Sequence, residues 1–221
     1  MFSFLVLAQT QPDAAKVLEG VSQTYKNVST YELIADVTLH QGGTKTNLPG
    51  HVLFAFRFPS RYRMETEMSG EGSDDAAPEK TLIVYDGSAL WSYVAESNEY
   101  DTIPAGELTD GAPGDKGDLR PAAMDHFMMW RYRSATDFAA GAKVLREEAL
   151  ELAGAASDCY VVTLSTKTGA YTWWVDKRTF RILREDSPGS SSVFTTVKLD
   201  VALPDDLFKF VPPPGARRQR N

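Results

Sequence analysis

The side chains of this 221-residue sequence that could do acid–base or metal chemistry are few, and they stand apart from one another. Asp74 and Asp75 are adjacent, as a general acid–base pair or half of a cation site would be. They lie, however, in a Gly/Ser/Ala-rich stretch from Ser69 to Lys80, with no histidine or third acid at ligand spacing, and read as solvated loop residues. His40, His51 and His126 are scattered, and His126, between Asp125 and Phe127, reads as a helix-surface residue. Cys159 is the single cysteine, which excludes an intramolecular disulfide or a thiolate cluster; within Cys159-Tyr160-Val161-Val162 it reads as an inert, buried thiol. There is no glycine-rich phosphate loop with its lysine, no HExxH and no nucleophile elbow. The sequence therefore predicts neither an enzyme nor a cofactor.

What remains is binding chemistry of an apolar kind. From Leu119 to Trp130 the chain brings Met124, Met128 and Met129 together with Phe127 and Trp130, after Asp118 as a helix cap and Pro121 in the first turn. Such a short helix presents unbranched, polarizable side chains that repack around irregular apolar shapes; ordinary core filling is the alternative use of the same residues. The balance of 23 Lys and Arg against 30 Asp and Glu gives a net charge of -7, the wrong sign for gripping a nucleic-acid backbone. The basic run Arg217-Arg218-Gln219-Arg220 reads as a solvated tail over 216–221, with anionic lipid headgroups as the sharper alternative partner.

These segments need a frame, and periodicity supplies it. Leu82-Ile83-Val84-Tyr85, Asp86-Gly87 and Leu90-Trp91-Ser92-Tyr93 read as a β-hairpin, extended to a third strand by Glu99 to Ile103. Period two places Leu33, Ala35, Val37 and Leu39 on one side of an earlier strand. It also places Val52, Phe54, Phe56 and Phe58 together after Pro49-Gly50, and Tyr62, Met64, Thr66 and Met68 together after Pro59. Arg61, Arg63, Glu65 and Glu67 take the opposite side of the last of these. Further strands are predicted over Val144 to Leu152, Cys159 to Ser165, Tyr171 to Asp176, Phe180 to Asp186 and Val193 to Val201. Ahead of all of them, Val17, Leu18, Val21, Tyr25 and Val28 recur at helical spacing over 13–28, an amphipathic helix whose stripe must cover something. Met1 to Ala8 is apolar with small Ala8 at its end, like a truncated secretory signal; export is expected, with the true start codon upstream.

Together, Phe58-Pro59-Ser60-Arg61-Tyr62-Arg63-Met64, the stretch Tyr85-Asp86-Gly87-Ser88-Ala89-Leu90-Trp91-Ser92-Tyr93, Trp174-Val175-Asp176-Lys177, and Leu207-Phe208-Lys209-Phe210 with its Pro-Pro-Gly end resemble the LolA-like superfamily of periplasmic lipoprotein carriers. The likeness spans residues 14–215 as one domain. It implies an α+β fold: a curved, half-open antiparallel β-barrel, here of about 10–11 strands, with helices closing its concave face over an apolar cavity. It also implies a periplasmic, soluble, monomeric carrier for an acyl chain, lipid or lipoprotein, loaded and unloaded by a membrane receptor or transporter. On this reading the cavity is lined by Phe54, Phe56, Tyr62, Met64, Trp91, Met124, Phe127 and Met128. The alternative is an envelope scaffold or sensor-type domain of the same fold, binding a protein with its cavity filled by its own side chains. Carriers of the superfamily have an arginine directly before the strand proline. Here Phe58 holds that place and Arg57 stands one residue earlier, turned by strand alternation to the other face.

Overall fold

The computed structural model describes residues 13–40, 47–69, 77–108, 140–166 and 169–219. Among the described residues one α-helix, α1 (Ala14–Tyr25), precedes a single sheet of twelve strands. Six form a first meander: β1 (Thr30–His40), β2 (Asn47–Arg57), β3 (Arg61–Met68), β4 (Glu79–Tyr85), β5 (Ala89–Val94) and β6 (Glu99–Pro104). Five form a second: β7 (Lys143–Leu152), β8 (Ala155–Thr166), β9 (Gly169–Asp176), β10 (Ile182–Asp186) and β11 (Ser190–Leu199). The meanders join where β1 pairs antiparallel with β11, and a two-residue strand, β12 (Arg217–Arg218), adds parallel to β6. Among the described residues β12 and β7 end the order without meeting, so the sheet is open, as a curved half-barrel would be. The predicted 10–11 strands become twelve because Arg217 and Arg218, expected in a solvated tail, pair with Glu99 and Tyr100.

Local chemistry explains where the boundaries moved. Asp13 caps α1, its carboxylate accepting from the Ala15 amide at 3.0 Å, and the helix stops at Tyr25 rather than Val28; Val28 reaches the core from the turn that follows. Pro49 and Gly50 lie inside β2 rather than before it. Phe58 leaves the strand altogether: its bond to Pro59 is cis, β2 ends at Arg57, and its side chain is 41% exposed rather than continuing the row of Phe54 and Phe56. The strand predicted from Phe180 begins only at Ile182, since Phe180 has φ +53° in a turn gathered by the Asp176 carboxylate, which accepts from the Thr179 amide at 2.7 Å. β11 ends where Asp200 takes φ +53°, its side chain accepting from the Ser29 amide at 2.8 Å. The Asp86-Gly87 hairpin forms as read: Gly87 has φ +96°, a region that a side chain would strain.

The side of the sheet on which α1 lies will be called the inner face. Val17, Leu18, Val21 and Tyr25 of the helix pack there against Tyr31, Leu33, Phe54, Phe56, Trp173 and Ile182. Contact is close: a Cβ on Gly20 would stand 2.4 Å from the Phe180 ring, so only glycine lets the helix settle on that wing. The buried Tyr25 hydroxyl accepts from the Ile182 amide at 3.1 Å, and the Thr24 hydroxyl donates toward the Thr179 carbonyl at 3.1 Å. Burial pushes the Tyr25 phenol up to about 12, with the Ile182 hydrogen bond and nearby Arg181 pulling weakly the other way.

Tyr25→Phe keeps the ring but strips a buried amide of its acceptor, and is expected to cost about 1–3 kcal/mol in urea unfolding with an unchanged m-value. The unfolded phenol ionises near pH 10 and the folded one only near 12, so the wild-type protein binds more protons folded than unfolded in that interval. Its stability should therefore hold below pH 10 and fall as pH rises toward 12, less steeply in Tyr25→Phe.

Candidate functional site

On the inner face, cross-strand register gathers the aromatic residues into a continuous ladder. Phe54 stands opposite Leu33 and Met64, Phe56 opposite Tyr31 and Tyr62, Tyr62 opposite Tyr85, and Met64 opposite Ile83. Ring centroids step from Tyr25 to Tyr31 (6.2 Å), to Phe54 (6.1 Å), to Tyr62 (6.4 Å) and to Tyr85 (5.7 Å), each within aromatic-pair range. Val52, Tyr85, Ile103 and Leu108 are half-buried around this cluster. Four of the eight residues predicted to line a cavity, Phe54, Phe56, Tyr62 and Met64, are thus brought together. Met124, Phe127 and Met128 lie outside the described residues, as does the helix predicted around them.

Trp91 does not belong with that group. It pairs with Val84 and Thr102, in the row of Ala55 and Arg63, and so projects from the outer face, where it stacks on Phe210 at 5.3 Å with rings 21° apart. Tyr93 and Tyr100 complete that nest, at 6.3 and 5.5 Å from Phe210. The sequence could not settle the matter, because Leu82 to Tyr85 is apolar on both faces; only the pairing of Tyr85 with Leu90 fixes the parity of Trp91.

Phe210 belongs to a strap that crosses the outer face after β11. Leu203 and Phe208 pack on Ala55, and residues 217–219 then run alongside β6, where the Gln219 amide donates to the Tyr100 carbonyl at 2.8 Å. Arg57 fastens the strap: its guanidinium donates to Asp205 and to the Leu203 carbonyl and lies 5.0 Å from the centre of the Phe208 ring. The Arg57 hydrogen bond, chiefly, holds the Asp205 carboxyl below its ordinary value. Sequence reading placed Arg57 on the correct face but gave it no role, since its partners are about 150 residues away.

The remaining candidates fall into structural roles. Trp174 sits in the second outer cluster with Cys159 and Val161, beside Arg184 at 4.3 Å, and donates its indole N–H to Glu148 at 2.5 Å. Burial above all, with Asp176, Asp158 and Glu148 nearby, pushes the Cys159 thiol up to about 12, so it stays protonated and unreactive. His40 bonds Asn47 and Ser191, and His51 lies 3.1 Å from Asp36 at the surface. Asp86 works for its turn: burial raises its carboxyl, but hydrogen bonds from Ser88, Ala89 and Trp91 outweigh that and hold it below the ordinary carboxylate value. Among the described residues no cluster of three or more His, Cys, Asp or Glu could hold a metal ion, and no helix is long and apolar enough to cross a membrane.

No protein-family model matches the chain. Solved structures similar to it include LolA superfamily proteins. One, from Nitrosomonas europaea, is 14% identical at TM-score 0.35, with 90% of this chain and 98% of that one covered. LprF from Mycobacterium bovis is 12% identical at TM-score 0.47, with 93% and 98% covered. Among curated sequences, an uncharacterized protein of Methanocaldococcus jannaschii is 26% identical over 216 residues, 94% of this chain; the chain spans about half, 54%, of that protein's length.

Phe210→Ala would empty the outer nest. For this half-buried ring the expected cost is about 2–3 kcal/mol in urea unfolding, with a red shift of tryptophan emission as Trp91 meets water. An unfolding midpoint within error of wild type would show that the strap is not bound there.

Proposed function

We propose that this protein is an exported carrier that holds an acyl chain, a lipid or a lipoprotein against the inner face of its sheet, delivering it between membrane partners. The observation that supports this is the continuous apolar make-up of that face, which runs in one cluster from α1 to β3, β4 and β5. The hydrogen bonds that anchor α1 go to residues 179 and 182 at the β9–β10 wing. Tyr62, Met64, Tyr85 and Ile103 line the β3–β6 wing beyond, a row of aromatic and flexible apolar side chains. On this reading Met124, Phe127 and Met128, which lie outside the described residues, complete the apolar lining of the ligand site. Affinity comes mainly from burial, at about 0.8 kcal/mol per methylene, so a long chain is held without a dedicated polar contact. Trp91 takes no part in the lining. The chemistry asked of the site is desolvation and shape, with no nucleophile or base.

A second reading has its own observation. Phe54, Phe56, Tyr62 and Met64 are all buried within one cluster. A face so filled by its own side chains would suit a protein-binding scaffold or sensor domain of the envelope.

Native mass spectrometry of protein purified from its own envelope, followed by titration of the delipidated protein with cis-parinaric acid, separates the two. The carrier reading expects a co-purifying acylated species and saturable uptake. It also expects uptake to weaken at least about tenfold in the double variant Met124→Glu, Phe127→Glu, with the far-ultraviolet spectrum unchanged. A clean apo mass with no uptake would move the assignment to the scaffold.

A further inference from the structure

Where the β2–β3 and β4–β5 turns meet, they enclose an open groove of about 500 Å3 lined by residues 57–61 and 86–88. Two of its three charged side chains are already committed. Arg57 is spent on Asp205 and the Leu203 carbonyl, and Asp86 on Ser88, Ala89 and Trp91. Arg61 is not. Its one polar contact among the described residues is Asp205 Oδ1 at 3.7 Å, beyond hydrogen-bond length, and its side chain is 46% exposed. Its stem faces the opposite turn, where a Cβ on Gly87 would stand 3.9 Å from Arg61 Nε, an ordinary contact distance. Beside it Phe58, 41% exposed on the cis peptide bond to Pro59, forms an apolar wall.

A planar cation with open donors next to an exposed ring is chemistry for a carboxylate that carries an apolar neighbour. We propose that this groove docks an acidic, aromatic-containing segment of a partner protein: its carboxylate meets the fork of Arg61 and the adjoining apolar side chain rests on Phe58 and Pro59. The strap already presents Asp205 to the same pair of arginines. Charge favours a peptide over a bilayer. The chain carries a net charge of -7, while the groove itself holds two arginines against one carboxylate, so a short acidic segment fits where an extended anionic surface is repelled at long range. This docking is independent of what the inner face holds.

The test is an amide NMR titration of the full chain with the capped peptide acetyl-Glu-Phe-Glu-amide, its glutamine counterpart acetyl-Gln-Phe-Gln-amide, and phosphatidylglycerol vesicles. The acidic peptide should shift residues 57–61 and 86–88, bind about tenfold more tightly than the glutamine peptide, and weaken as salt is raised. Arg61→Gln, at a half-exposed position, should abolish that preference. Equal affinity for the two peptides, shifts centred elsewhere, or binding to the vesicles without a response to peptide would overturn the proposal; neither peptide comparison nor salt dependence requires the variant to fold.

Discussion

Side chains alternate across a strand with a period of two, and in this molecule that alternation leaves apolar groups on both faces of one open sheet. Phe54, Phe56 and Met64 point inward, while Ala55, Val84 and Trp91 point outward from the same or neighbouring strands. Neither set can face water, so each face recruits a cover from outside the sheet: α1 within, the strap of residues 201–219 without. Apolar burial supplies most of the attraction but has no direction. Direction comes from polar fastenings, foremost the Tyr25 hydroxyl on the Ile182 amide and the Arg57 guanidinium on Asp205. The two fastenings differ in kind, the first fully buried and neutral, the second charged and open to solvent.

Between the apolar zones the outer face is laced with opposite charges facing one another across strands. Glu32 meets Lys198 at 2.5 Å and Glu67 meets Lys80 at 3.0 Å, each in register on adjacent strands. Exposed pairs of this sort add little stability. Their use is in pairing: a slip by one residue would bring charges onto the inner face and the aromatic ladder into water.

Most of the frame was legible because its signals are local. The amphipathic stripe of α1, the alternation through β1, β2 and β3, and the Asp86-Gly87 hairpin each declare themselves within a dozen or so residues. What was hidden depends on distance. Trp91 could not be assigned a face from a run that is apolar on both sides. Leu207 to Phe210 reads as a packed aromatic pair, yet nothing nearby says that Phe208 meets Ala55 and Phe210 meets Trp91. The Phe58 position was legible as a departure from the LolA-like pattern, but its exposure follows from the strand ending at Arg57. Of the lining group expected together, register unites Phe54, Phe56, Tyr62 and Met64, because each lies an even number of residues along, or directly across from, the next.

The pairing of β1 with β11 ties together segments separated by most of the chain, and this orders events during synthesis. Strands β1 to β6 can zip sequentially as they leave the ribosome, each hairpin closing on the one before. The far edge of β1 must then wait through the making of β7 to β10 before β11 arrives, and β6 waits longer still for Arg217 and Arg218. A nascent chain therefore carries two unpaired edges beside a half-covered aromatic face, the condition in which strands find wrong partners. Arg217 and Arg218 cover one of those edges, so that edge gains its protection against self-association only after both meanders have been made.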